Sequence, residues 1–303
     1  MSQPNFHPNL QKILQNYSQK PSVKPAPAPP PPKKPSPPPP PPIPKGLVKA
    51  LLIGINYLPF PELQLYGCIN DVINIRSVLQ SFYPNCKDVR ILTDQTVMKP
   101  TKQNILDSIQ WLVKDLKPGQ TVYLHYSGHG TRVMDMNGDE RSGADSCICP
   151  YNGSQFEIIT DDELRKVLVD KIPQGSKCFT VLDCCNSGTA LDLRYTWKST
   201  APGKLSFDQD NSYQKTTGNV IFLSGCRDDQ YAMDTVDAFG KGSGALTNAL
   251  VQTWRTYRTN LKVKHLLWDV RKYLQDNNYE QIPQISTGTA TSSEASLDLN
   301  QAI

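Results

Sequence analysis

The sequence lacks any apolar run near the roughly 20 residues needed to cross a bilayer, although hydrophobic residues make up 38% of its 303 residues. The stretch from Met1 to Tyr17 also lacks the apolar core of about 7–15 residues that marks a secretory signal. We therefore expect a cytoplasmic protein without a membrane span. Its eight cysteines should then be reduced thiols rather than disulfides.

Metal-binding motifs are also missing. No C-x-x-C pair occurs, and neither Cys147-x-Cys149 nor Cys184-Cys185 has partners at zinc-finger spacing. The acidic stretch 135–145 superficially resembles an EF-hand loop, but it lacks the glycine at the sixth position and the glutamate at the twelfth. The sequence therefore predicts neither a structural zinc site nor an EF-hand.

Acidic residues are absent from the first 46 positions, which contain six lysines and most of the proline. Fifteen of the 26 prolines fall within residues 21–44, a composition that excludes helix and sheet and favours polyproline II. We predict a disordered leader at 1–46 that is either simply solvated or a ligand for SH3 or WW-type partners. The remaining residues, 47–303, carry 26 basic and 28 acidic side chains, which argues against a nucleic-acid surface.

From Gly46 onward, strand-like and helix-like runs alternate, which is typical of an α/β fold with a mostly parallel central sheet and helices on both faces. Strands are predicted at 48–55, 89–92, 121–126, 178–182 and 220–223, and helices at 70–82, 101–116, 160–169, 245–257 and 263–274. Two long polar stretches, 131–155 and 193–218, are predicted to be functional loops. The whole of 47–303 is expected to be one domain.

Two segments share one design, in which a buried strand runs into small residues and a reactive side chain. The first ends in Ser127-Gly128-His129-Gly130, and the second ends in Asp183-Cys184-Cys185. Ligand sites in such sheets lie at the carboxyl ends of the strands, and a histidine near a thiol raises the thiolate population. His129 and Cys185 are therefore the candidate acid/base and nucleophile, whereas His125 lies within its strand and is expected to pack.

The blocks Tyr126-Ser-Gly-His-Gly130 and Asp183-Cys-Cys-Asn-Ser-Gly188 resemble the two catalytic blocks of the metacaspases, a family of caspase-related cysteine peptidases. The proline-rich leader is similar to that of the type I subgroup. The resemblance implies a caspase-like fold, a His129–Cys185 dyad, an oxyanion site at the backbone of Gly130 and Cys185, and a monomer. Asn186 and Asn152 depart from the family pattern, in which His and Asp are usual.

The resemblance also assigns a substrate pocket to Cys68, Asp71, Ser127 and Asp183. Two buried carboxylates that face one pocket repel each other unless a cation lies between them. We therefore expect cleavage of protein or peptide substrates after Arg or Lys and not after Asp. For Asp71 alone, a helix N-cap is an equally good interpretation.

A second acidic group matches metacaspase positions that bind calcium, and it consists of Asp145, Asp161, Asp162 and Asp192. Calcium prefers several carboxylate oxygens, so the resemblance implies activation by this ion. Asp161 and Asp162 have an alternative role, because acids in the first turn of a capped helix are favoured by the helix dipole.

Four basic residues in the stretch 193–218 offer bonds that the enzyme itself could cut: Arg194, Lys198, Lys204 and Lys215. The resemblance suggests a zymogen that processes itself there, and a solvated loop is the simple alternative.

Other enzyme classes fit less well. A cysteine phosphatase needs an arginine six residues after the nucleophile, where this chain has Leu191, and the G-x-S-x-G elbow of serine hydrolases does not occur. The alternative that stays open is a weakly active or inactive caspase-like scaffold that recruits partners through its leader.

Overall fold

A computed structural model describes residues 45–136, 138, 143–185, 187–201, 204–225, 234–236 and 240–301. Nearly all of the predicted leader, 1–46, lies outside these residues, as does Asn186. The strands are β1 (Gly46–Gly54), β2 (Asp88–Thr93), β3 (Gln120–Ser127), β4 (Gly130–Met134), β5 (Ala144–Ile148), β6 (Ile159–Thr160), β7 (Lys177–Asp183), β8 (Tyr195–Ala201), β9 (Lys204–Gln209), β10 (Asn219–Ser224), β11 (Asp234–Val236), β12 (Gly242–Gly244) and β13 (Gln284–Thr287).

The helices follow the predicted pattern closely. They are α1 (Cys68–Phe82), α2 (Lys102–Val113), α3 (Asp161–Val167), α4 (Ala245–Tyr257), α5 (Val263–His265) and α6 (Arg271–Asp276), the last two joined by a π-helical segment (Leu266–Val270). Single 3-10 turns occur at Pro61–Leu63, Val169–Lys171 and Arg258–Asn260. The capping box predicted at the start of α3 is present, since the Thr160 side chain accepts a bond from the Glu163 N–H and Glu163 accepts one from the Thr160 N–H.

The central sheet, within the described residues, has eight strands in the order β2-β1-β3-β7-β10-β13-β8-β9. The pairings from β2 to β10 are parallel, and those from β10 through β13 and β8 to β9 are antiparallel. The fold is therefore α/β with a mostly parallel sheet, as predicted.

Apolar cores cover both faces of this sheet. On one face, α1, α4 and the C-terminal helical run pack around Trp254 and Phe179. On the other face, α2 and α3 pack around Leu124 and Phe222, and this core includes Tyr57 and Tyr151. The carboxyl ends of the parallel strands lie at one edge of the sheet, which is called the rim below, and both cores border it.

The prediction of long loops at 131–155 and 193–218 is wrong. In the first stretch, β4 and β5 form an antiparallel hairpin that β6 extends into a three-stranded sheet. In the second, β8 and β9 form a hairpin that joins the central sheet through β13, with Tyr195 and Trp197 buried and both packed against Phe207. Their polar composition hid these strands, because strand propensity depends on the packing of neighbouring strands more than on the local sequence.

None of the helices in the described part of the chain combines the length and apolarity required to cross a membrane.

Candidate active site

The two predicted catalytic segments leave the sheet side by side. Strands β3 and β7 are parallel neighbours whose last paired residues are Ser127 and Asp183. Just beyond them, the Gly128 N–H donates to the Asp183 carbonyl at 3.4 Å. Gly130 packs so closely on the Cys185 carbonyl that any side chain at position 130 would overlap it. The segments that carry His129 and Cys185 are therefore in direct backbone contact at one rim of the sheet.

The imidazole of His129 is oriented by a main-chain carbonyl. Its Nε2 lies 2.7 Å from the Leu63 oxygen, in the 3-10 turn that follows β1. A carbonyl oxygen only accepts hydrogen bonds, so Nε2 carries the proton and Nδ1 keeps the lone pair in the neutral ring. This tautomer leaves Nδ1 as the nitrogen able to take a proton from a thiol.

Two tyrosines hold the backbone of His129. Its N–H donates to the Tyr57 hydroxyl at 2.8 Å, and its carbonyl accepts from the Tyr126 hydroxyl at the same distance. The Tyr57 ring also lies against the imidazole, with centroids 4.5 Å apart, and its hydroxyl donates to the Cys149 carbonyl at 2.7 Å. Burial keeps the pKa of Tyr57 well above its usual value, so this phenol remains protonated.

Asp71 is a buried carboxyl group and not a helix cap. It lies in the first turn of α1, three residues after the buried Cys68, and that helix has no side-chain cap. Its carboxylate accepts bonds from the Ser127 hydroxyl at 2.6 Å, the Ser243 hydroxyl at 2.6 Å and the Gly244 N–H at 2.9 Å. The N-cap interpretation of Asp71 is therefore wrong.

Asp183 is the second carboxylate of the same buried cluster. Its Oδ2 accepts bonds from both the N–H and the hydroxyl of Thr247, at 2.8 and 2.7 Å, near the amino end of α4, where the helix dipole favours negative charge. A side chain at Gly244 would strike the Asp183 carboxylate and also come within 3.0 Å of Asp71 Oδ2. Thr247 in turn lies 3.4 Å from Nε2 of the fully buried His125.

The proximity of these two carboxylates has an electrostatic cost. Burial, and secondly the charge of Asp183, raise the pKa of Asp71 from 3.8 to about 8, although its hydrogen bonds act in the opposite direction. Burial likewise lowers the pKa of His125 to about 3, so it is a neutral packing residue, as expected. A cation placed between Asp71 and Asp183 would relieve the repulsion.

The predicted calcium ligands come from three places in the chain. Asp145 lies in β5, Asp161 and Asp162 begin α3, and Asp192 lies in the segment after β7. Asp161 accepts bonds from the N–H groups of Ser146 and Asp162, at 2.6 and 3.0 Å, and Asp145 and Asp192 are buried. Among the described residues, no three His, Cys, Asp or Glu side chains form a group that could hold a metal ion. The oxygen ligands suit calcium, but their arrangement here is not a formed metal site.

The bonds considered for self-processing lie in different environments. Lys198 and Lys204 belong to the paired strands β8 and β9, and the Arg194 guanidinium donates to the Tyr213 carbonyl at 3.3 Å. Lys215 is exposed in the segment between β9 and β10. A peptidase needs an extended segment that is not paired in a sheet, and Lys215 meets this condition, whereas Lys198 and Lys204 lie in paired strands.

Several groups at the rim had no signal in the sequence. Ser243, Gly244 and Thr247 donate to the two carboxylates, although they lie more than 50 residues after Asp183. The Leu63 carbonyl and the Tyr57 hydroxyl are backbone and aromatic contacts without motif spacing. Only the glycine-rich run at 240–244 hinted at a close backbone approach.

Solved structures show the class of fold. A Geobacter sulfurreducens protein superimposes with a TM-score of 0.61 and 21% identity over 86% of this chain and all of that one. Caspase-1 from Spodoptera frugiperda superimposes with a TM-score of 0.52 and 13% identity over 85% of this chain and 91% of that one. The fold is therefore caspase-like.

Sequence comparisons identify the family. Residues 48–194 match the family described as "Metacaspase, peptidase C14 domain". Metacaspase-1B of Neurospora crassa is 36% identical over 80% of this chain and 66% of its own length, and Metacaspase-1B of Aspergillus fumigatus is 35% identical over 80% and 69%. Metacaspase-1 of Saccharomyces cerevisiae is 33% identical over 80% and 66%. The chain belongs to the metacaspases, a family of cysteine peptidases, and spans about two thirds of the length of these relatives.

Proposed function

We propose that this chain is an endopeptidase that cleaves after Arg or Lys, with Cys185 as the nucleophile and His129 as the acid/base. The observation that carries the proposal is the buried pair Asp71 and Asp183, which lies at the rim where the backbones around His129 and Cys185 meet.

The chemistry follows from the orientation of the imidazole. Nδ1 of His129 takes the proton of the Cys185 thiol, and the thiolate attacks the peptide carbonyl carbon. The backbone N–H groups of Gly130 and Cys185 bind the resulting oxyanion. His129 then gives its proton to the leaving amine, and a water molecule, deprotonated by the same nitrogen, hydrolyses the thioester and restores the thiol.

Substrate choice follows from the charge of the pocket. The pocket that we propose at Cys68, Asp71, Ser127 and Asp183 contains two buried carboxyl groups that disfavour each other's charge. A guanidinium or ammonium group could donate hydrogen bonds to both. A substrate Asp would add a third negative charge. A positively charged side chain would therefore bind in the pocket and reduce the repulsion between Asp71 and Asp183.

Calcium activation and self-processing are also part of the proposal. Asp145, Asp161, Asp162 and Asp192 would hold the ion through their carboxylate oxygens, the ligand type that calcium prefers. Calcium bound there would be linked to the nucleophile through Asp192, because Asp192 and Cys185 belong to the same segment after β7. Cytoplasmic location, a monomeric state and recruitment of SH3 or WW-type partners by the leader remain predictions.

The test uses peptides that differ only before the scissile bond, with Arg, citrulline, Lys or Asp at that position. Citrulline matches arginine in shape and lacks its charge, so we expect its kcat/KM to be at least roughly 100-fold lower than that of the Arg peptide. Binding sites built around a polar group of the substrate reject analogues without that group by at least this factor. Cys185→Ala should lower kcat/KM for the Arg peptide by at least about 10³-fold. Cys86→Ala, a half-buried thiol near the start of β2, is the matched control and should leave it unchanged.

Two outcomes would contradict the proposal. Equal cleavage of the citrulline and Arg peptides would remove the charge-based pocket. A wild-type chain that fails to cleave any peptide, with or without calcium, while its leader still captures SH3 or WW domains, would favour the scaffold function.

A further inference from the structure

Three apolar side chains form a platform beside the candidate acid/base. They are Phe60, Leu63 and Phe156, defined here as the apolar platform. Phe60 and Phe156 are in contact, with centroids 4.8 Å apart. Leu63 is 42% exposed and Phe156 is 36% exposed, so the platform presents apolar side chains to solvent.

The apolar platform is connected directly to the imidazole. The Tyr57 ring stacks on Phe156 on one side, at 5.3 Å and 22°, and lies 4.5 Å from the ring of His129. The backbone oxygen of Leu63 contacts His129 Nε2 at 2.7 Å. A substrate group that contacts His129 is therefore separated from the platform by about the width of one side chain, that of Tyr57.

A buried carboxylate holds the platform in place. Asp94 accepts bonds from the Asn56 N–H at 2.6 Å, the Leu58 N–H at 3.1 Å and the Tyr151 hydroxyl at 3.1 Å. Tyr151 in turn packs edge-on against Phe60, at 5.7 Å. A surface fixed in this way can bind an apolar side chain without first losing conformational freedom.

The position of the platform relates it to one side of the scissile bond. Asp71 and Asp183 lie on the sheet face covered by α1 and α4, whereas Tyr57 belongs to the core of the opposite face. The segment 127–129 connects the two, because the Ser127 hydroxyl donates to Asp71 and the His129 ring lies against Tyr57. In the proposed mechanism His129 contacts the leaving amine. The residue that carries this amine is the first one after the cleaved bond, so it lies on the side of Tyr57 and the platform.

We propose that the apolar platform binds the residue immediately after the scissile bond and that the enzyme prefers a large apolar side chain there, an inference that rests on the peptidase function proposed above. Glu62, in the same exposed turn as Leu63, adds a negative charge beside this surface. An acidic residue after the cleaved bond should therefore be disfavoured.

The experiment compares two quenched peptides, identical except for Phe or Asp directly after a single Arg. We expect the wild-type kcat/KM to be at least about tenfold higher for the Phe peptide, which corresponds to burying part of one aromatic side chain. Phe156→Ala should bring the ratio of the two values close to one, and Phe156→Lys should favour the Asp peptide. Phe207→Ala is the matched control, because Phe207 is 41% exposed on the distant strand β9, and its ratio should equal that of the wild type.

A separate reagent tests the underlying peptidase. An arginyl peptide chloromethyl ketone carries no residue after its reactive carbon, so its rate of inactivating the wild type reports only the nucleophile and the Arg pocket. Two results would overturn the platform alone if the reagent inactivates the wild type rapidly. One is a kcat/KM ratio of the Phe to the Asp peptide of one or less, and the other is a ratio that Phe156→Ala and Phe207→Ala change equally. An absence of inactivation would overturn the peptidase function and the platform with it.

Discussion

Replacing Asp71 with asparagine should make the protein more stable while removing the proposed preference for Arg and Lys. The substitution leaves the size of the side chain nearly unchanged and removes one of two buried, mutually repelling carboxylates. Burial and the Asp183 charge raise the pKa of Asp71 from 3.8 to about 8, so the folded protein holds a proton that the unfolded chain releases near pH 4. Stability therefore falls as the pH rises from about 4 to 8.

The magnitude follows from this window. One pKa unit corresponds to about 1.4 kcal/mol of free energy. The raised pKa of Asp71 therefore lowers the free energy of unfolding of the wild type by several kcal/mol at pH 8. Asparagine avoids this cost but loses part of the hydrogen bonding to Ser127, Ser243 and Gly244, on the order of 1–3 kcal/mol. A net gain of about 2 kcal/mol at pH 8 would raise Tm by about 4–8 °C, and the gain should vanish near pH 4.

The assay is thermal unfolding at pH 4.5 and pH 8 in a Cys185→Ala background, which prevents self-cleavage. Asp94→Asn is the matched control, because Asp94 is also buried and hydrogen bonded but its carboxylate anchors three donors, so its substitution should lower Tm. A lower Tm for Asp71→Asn at pH 8, or a gain that is the same at both pH values, would refute the electrostatic reasoning.

Three further predictions concern activity. Tyr57→Phe removes the hydroxyl bonded to the His129 N–H and the Cys149 carbonyl, so kcat should fall by about tenfold, the cost of a displaced acid/base, with KM nearly unchanged in steady-state assays. Chelation of calcium should abolish peptide cleavage, and Asp161→Asn should raise the calcium concentration needed for half-maximal activity; activity that is insensitive to chelation would contradict this. Purified wild type should fragment first after Lys215, as read by mass spectrometry of intact chains, and earlier cleavage within β8 would show that the strand pairing does not protect it.

Local sequence patterns predicted the scaffold well where secondary structure depends on neighbouring residues. The runs around Leu51, Leu124 and Val181 are continuous apolar strands, and the spacing of Val72, Ile75 and Leu79 predicts the buried face of α1. These strands could be predicted because a parallel sheet is buried on both faces, so each of its strands is an almost unbroken run of apolar residues.

Prediction failed where the partner of a strand lies far away in the chain. Strand β8 pairs with β13, about 90 residues later, and its polar residues gave no alternation strong enough to identify it. The same limit applies to the buried carboxyl groups, where the sequence singled out Asp71 but not its donors Ser243 and Gly244, more than 170 residues away.

The sequence alone therefore determined the order of the parallel strands and main helices and predicted the candidate pair His129 and Cys185, because a cysteine and a histidine at strand ends carry their chemistry in their residue types. Only the tertiary structure decided what surrounds them. It brought the Leu63 carbonyl to one imidazole nitrogen, two tyrosine hydroxyls to the backbone of His129, and one carboxylate against another. Charge repulsion, tautomer choice and an apolar surface beside a catalytic group depend on distances between segments that are remote in the chain, and those distances exist only once the sheet has assembled.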